Sequence, residues 1–109
     1  MRTAHVLYKD AEAGLLIQLE DGSFIFKYHT AWLADSNKPS ICLTLPKSKQ
    51  EHQSKFLFPF FYSMLPEGTN KQLVCQHNRI DTDDDFGLLM ISAKYDNIGA
   101  VTLVKYKES

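Results

Sequence analysis

Gly14-Leu15-Leu16-Ile17-Gln18-Leu19-Glu20-Asp21-Gly22-Ser23-Phe24-Ile25-Phe26-Lys27-Tyr28 is the stretch that decides the fold. Both halves are rich in aliphatic and aromatic side chains. Asp21-Gly22 between them is a hairpin signal, because glycine accepts positive φ without steric cost. Upstream, Ala4-His5-Val6-Leu7-Tyr8-Lys9 alternates apolar and polar residues, and Asp10-Ala11-Glu12 reads as a short turn into Gly14. Three antiparallel strands are therefore expected as an N-terminal meander.

Downstream, Thr30 can cap a short helical turn carrying Ala31, Trp32 and Leu33, and 35–39 is a loop by its turn chemistry. Ile41-Cys42-Leu43-Thr44-Leu45 reads as a further strand stopped by Pro46. The polar run from Lys47 to Lys55 has no periodicity and reads as an exposed loop. From Phe56 the period becomes helical. Leu57, Phe60, Phe61, Met64 and Leu65 share one stripe, which makes them candidate core, while Phe58 and Tyr62 point away from it. Pro66-Glu67-Gly68 interrupts that helix, and a more polar one runs from Thr69 or a neighbour to about Arg79. Thr82 followed by Asp85 fits a capping box for a helix through Phe86-Gly87-Leu88-Leu89-Met90-Ile91. Ala100 to Lys105 is a last strand joining the first sheet. Strands first and helices afterwards give an α+β fold: a small antiparallel sheet, N-terminal meander plus C-terminal strand, with helices packed on one face.

The 109 residues suit a single domain spanning 1–109, and the 44% hydrophobic content is enough for one core without metals or disulfides. Twelve Lys and Arg against thirteen Asp and Glu leave no basic field to hold a phosphate backbone, which argues against direct nucleic-acid binding. Cys42 and Cys75 lie outside any CxxC pattern and read as reduced thiols. No apolar run approaches the roughly 18 residues of a membrane helix and Met1 to His5 lacks a signal core, so a cytoplasmic protein with no membrane partner is expected.

No residue set points to catalysis. Asp85-Phe86-Gly87 spells a kinase-type DFG, yet no Gly-rich phosphate loop or HRD-type catalytic loop accompanies it, and helix capping explains the same letters. His5, His29, His52 and His77 lack the paired spacing of metal-binding motifs, and Cys75 and His77, two apart on a helix, do not face each other. No cofactor, metal or catalytic residue is expected, and the chain reads as a non-enzyme. Trp32 and the aromatic set Phe56, Phe58, Phe60, Phe61 and Tyr62 leave two readings open: core packing, or an aromatic protein-binding patch.

The segment Phe58-Pro59-Phe60-Phe61-Tyr62-Ser63-Met64-Leu65-Pro66-Glu67-Gly68 resembles the "PFF…LLPEG" signature of the N-terminal domain of HipA-family serine/threonine kinase toxins. The strand pair around Tyr8 and Gly14, the segment Ile41 to Pro46, and Thr82 to Leu89 followed by Gly99-Ala100-Val101 agree in order and spacing. In that family the domain precedes a kinase core. A chain stopping at Ser109 is similar to the small member of three-component HipB-HipS-HipT modules, in which the kinase HipT lacks this domain. The resemblance implies an antitoxin-like protein that binds and restrains a HipA-like kinase, with a DNA-binding HipB-type protein as an indirect partner. The alternative it leaves is the N-terminal domain of a full-length HipA-like kinase.

The projecting turn gives candidate partner-binding residues: Pro66, Glu67, Gly68, Thr69, Asn70 and Lys71; Trp32 is a further candidate, and with the loop from Lys47 to Lys55 it is the next place to look should the contact lie elsewhere. Pro66 and Gly68 break the chain's direction and expose the start of the next helix, whose free N–H groups could meet an acidic or phosphorylated group on a kinase loop. Thr69 and Asn70 are small polar residues where many family members carry larger ones, which implies binding more than plugging of the kinase site.

Overall fold

The computed structural model describes residues 1–95 and 101–105. Gly99 and Ala100, and the last four residues of the expected 1–109 domain, lie outside them. Strands β1 (Arg2–Tyr8), β2 (Ala11–Gln18) and β3 (Phe24–Tyr28) form the expected meander. The first turn is Lys9-Asp10 rather than Asp10 to Glu12. Both residues take positive φ (48° and 67°), the backbone of a two-residue hairpin turn whose twist matches its strands. The second turn is built on Asp21, whose carboxylate accepts from the Ser23 N–H at 2.9 Å and from its hydroxyl at 2.6 Å.

After α1 (Thr30–Ala34) the sequence reading and the structure part. Ile41 to Leu45 is not a strand but an irregular loop, and the fourth strand, β4 (Glu51–Ser54), lies inside the run read as loop. The Tyr28 hydroxyl explains the exchange. Buried at the end of β3, it accepts from the Ile41 N–H at 3.0 Å and donates to the Leu45 carbonyl, so the loop's polar groups are satisfied by a side chain instead of a ladder. Burial in turn pushes the Tyr28 phenol above its ordinary value. That leaves the free edge of β3 to Glu51-His52-Gln53-Ser54, a polar edge strand that needs only its backbone to pair.

Helices α2 (Pro59–Tyr62), α3 (Gly68–Asn78) and α4 (Asp85–Tyr95) precede β5 (Val101–Lys105), which pairs with β1. The described strands form one antiparallel sheet in the order β4-β3-β2-β1-β5. Ala4, Val6, Ala13, Leu16, Phe24, Phe26, Tyr28, Val101 and Leu103 cover one face and share a core with Trp32, Phe61, Phe86, Leu88 and Leu89 from the helices. The helices thus pack on one face, as the α+β reading expects.

The aromatic segment is less helical than its spacing suggests. Only Pro59 to Tyr62 is α-helix, with Pro59 in the first turn where its missing N–H costs nothing. Phe58 is extended (φ −57°, ψ 138°), so helical spacing does not govern it and its ring turns into the core against Phe61. Phe60, expected in the core, is half-buried, while Phe61 is fully enclosed.

Candidate partner-binding surface

α2 is followed by two overlapping turns, with the Met64 N–H donating to Phe61 and the Leu65 N–H to Tyr62, both at 3.0 Å. Met64 and Leu65 are buried, so the turn is anchored from below and cannot swing freely. Pro66 and Glu67 then carry the chain outward, Glu67 in extended backbone (φ −122°, ψ 157°). Gly68 opens α3 at φ +57°, a left-handed conformation that disfavours other residues, and a Cβ placed there would point into open space. The role of Gly68 is therefore backbone geometry, not close packing.

The result is a shallow cleft of about 220 Å³ lined by Tyr62, Leu65, Pro66, Glu67, Gly68 and Lys71. That is below the roughly 300–1,000 Å³ of pockets that enclose small molecules. Of the turn residues expected to bind, Pro66, Glu67, Gly68 and Lys71 line the cleft. Thr69 and Asn70 are exposed in the first turn of α3. No side chain caps this helix start and its first turn holds no acid, so its positive dipole end faces outward with the Lys71 ammonium one turn away.

The spacing argument reached Tyr62, which is 52% exposed and forms one wall of the cleft. Leu65, on the stripe of expected core residues, is buried and also lines the cleft. Leu73, 59% exposed on α3, adds apolar surface on the same helix. Trp32 is not brought to this surface. It is 4% exposed, its indole N–H donates to the Pro39 carbonyl at 2.8 Å, and its ring meets Tyr8 edge-on. Asp85-Phe86-Gly87 forms the first turn of α4. The cap is Asp84 rather than Thr82: its carboxylate accepts from the Gly87 N–H at 3.1 Å and is held by Arg2, whose guanidinium also covers the Phe86 ring at 4.9 Å. Phe86 is buried, so these letters build a helix start. No helix among the described residues is long and apolar enough to cross a membrane.

An antiparallel sheet backed by helices on one face, with a projecting turn and an uncapped helix start, defines a small α+β domain. The HipA N-terminal domain family matches residues 4–104, and the chain belongs to that family. The solved N-terminal domain of HipA toxin superposes with a TM-score of 0.72 at 28% identity, covering all of this chain and 96% of that one. The Sinorhizobium fredii proteins Y4mE and Y4dM, named as candidate kinases, are 29% and 30% identical over 89 and 94 residues, or 82% and 81% of this chain. The chain spans only 21% and 23% of their lengths. An uncharacterised Haemophilus influenzae protein is 31% identical over 81 residues, which are 74% of this chain and 76% of that protein.

Proposed function

We propose that this domain is an antitoxin-like binding partner that docks on a HipA-like serine/threonine kinase of the HipT kind and restrains it, within a module whose DNA-binding member is a HipB-type protein. The observation that carries this reading is the pairing of family and surface. A domain family that matches the candidate kinases presents here an anchored turn, a cleft of mixed polar and apolar lining and an uncapped helix start. A surface that packs on a kinase core within one chain can pack on it between chains when its apolar contacts suffice. The H. influenzae relative, of which this domain makes up 76%, has little room for a kinase core of its own and supports action in trans. In this reading the chain performs no phosphoryl transfer itself, since Asp85 serves a helix start.

The second reading, the N-terminal domain of a longer HipA-like kinase, is favoured by the two S. fredii relatives, of which this chain covers about a fifth. Co-expression with a HipA-like kinase that lacks this domain, followed by size-exclusion chromatography and an autophosphorylation assay, separates the two. Co-elution with reduced phosphorylation supports the antitoxin. Separate elution with undiminished kinase activity rejects it.

A further inference from the structure

The face of the sheet opposite the core carries a constellation that no motif spacing suggests. His5 sits in the middle of β1, Glu12 near the start of β2, and His29 directly after β3. The β1–β2 register slips between the Val6–Gly14 and Leu7–Glu12 pairs, leaving Ala13 as the extra residue of a β-bulge. Without that slip Glu12 would share the face of Gly14, toward the core; with it, Ala13 and Gly14 are both buried inward and Glu12 is re-aimed to the face of His5. The bulge is locked from the other side. A Cβ on Gly14 would lie 2.4 Å from the Lys27 carbonyl oxygen, and the His29 N–H donates to the Ala13 carbonyl at 2.9 Å, fixing His29 beside Glu12.

Three donor atoms converge as a result. Nδ1 of His5 lies 3.3 Å from one Glu12 carboxylate oxygen and Nε2 of His29 lies 3.8 Å from the other, and one ligand atom from each residue falls within 4.8 Å of the others. Both ring nitrogens are screened from water, and that of His29 makes no hydrogen bond among the described residues. The carboxylate bridges them from the open side, with the Glu12 side chain 55% exposed against 23% for His5 and 34% for His29. Atoms bound about 2.0–2.2 Å from a tetrahedral zinc ion stand about 3.4 Å apart; the His5–Glu12 separation matches that spacing, and the other donor atoms, all within 4.8 Å of one another, would draw together by rotation of the side chains on binding. Two imidazoles and one carboxylate with an open fourth position are a donor set for a divalent first-row metal, one that calcium or magnesium would not prefer.

The geometry points to a zinc-class metal site formed by His5, Glu12 and His29, which clips β1, β2 and the end of β3 together across the bulge. Its location on the face opposite the core makes it independent of the kinase-binding reading. The test uses the whole chain, freed of metal with EDTA and titrated with zinc chloride by calorimetry and by thermal melting. One zinc ion per chain should bind and raise the melting temperature. Glu12→Gln, which keeps the side chain's shape, and His29→Ala should each weaken binding at least about tenfold and abolish the zinc-dependent rise. His77→Ala, an exposed control on α3, should bind as the wild type does. Absence of binding, or equal binding by wild type and Glu12→Gln, overturns the site and leaves Glu12 as a simple ion-pair partner of two histidines.

Discussion

Helices α3 and α4 are both 11 residues long, yet they meet the rest of the molecule in opposite ways. α4 drives Phe86, Leu88 and Leu89 into the core, packs against β5, and starts on the Asp84 carboxylate held by Arg2. α3 buries only Cys75, has no side-chain cap, and leaves Leu73, Thr69 and Asn70 in solvent. A helix with so little buried surface gains little from tertiary packing, and isolated helices this short are marginal in water. α3 is held at its ends: by the buried Met64 and Leu65 before it, and after it by Arg79, whose left-handed backbone lets the Ile80 N–H reach the Cys75 carbonyl at 3.0 Å. α4 thus behaves as part of the core and α3 as a mounted surface.

That contrast fixes the order of mutational effects. Leu88→Ala empties a fully buried site and should cost about 2–5 kcal/mol in urea unfolding. Asp84→Ala removes the cap of α4 and the Arg2 partner together and should cost about 1–2 kcal/mol at neutral pH. The Arg2 hydrogen bond, first among its causes, holds the Asp84 carboxyl below its ordinary value. The stabilisation is therefore present above the unfolded value near 3.8 and is lost as pH falls through the folded one. The stability gap between wild type and Asp84→Ala should accordingly begin to narrow as pH falls past 3.8 and close only below the folded-state value, and a constant gap down to acid pH would show that the cap does not depend on the charge. On α3, Leu73→Ser should change stability by less than about 0.5 kcal/mol, as surface substitutions do. A cost near that of Leu88→Ala would erase the distinction between the helices.

How far the sequence discloses this follows from which force places each element. The hairpin from Gly14 to Tyr28 is legible because alternation and Asp21-Gly22 agree, and the break at Pro66 to Gly68 because proline and glycine act locally. The start of α4 is legible to within two residues, since three consecutive aspartates all suit a helix N-terminus and only the tertiary partner Arg2 singles out Asp84. β4 is illegible: a four-residue polar edge strand pairs through backbone alone and leaves no hydropathy signal. Ile41 to Leu45 misleads for the complementary reason, its apolar residues being held by one phenol rather than by a ladder. Phe58 misleads because helical spacing applies only where the backbone is helical. His5, Glu12 and His29 are separated by 7 and 17 residues, distances that strand register and one bulge convert into proximity but that match no local metal motif. In the candidate surface, the chain break and the exposure of Tyr62 are legible, because proline, glycine and local helical spacing act over a few residues. The burial of Trp32 is not legible, because a lone indole gives no sign of whether Pro39 and Tyr8 will cover it.

In the proposed function, the start of α3 faces the kinase. The direct measurement is calorimetric titration of the HipA-like kinase with the wild-type chain and with Thr69→Asp and Asn70→Arg, alongside melting curves of each free protein. Thr69→Asp places a carboxylate in a helix first turn, where the dipole favours it, so weakened binding could not be blamed on unfolding. Both variants should lose at least about tenfold in affinity, about 1.4 kcal/mol, with melting temperatures nearly unchanged. Binding and restraint of the kinase at wild-type strength by both variants would contradict the claim.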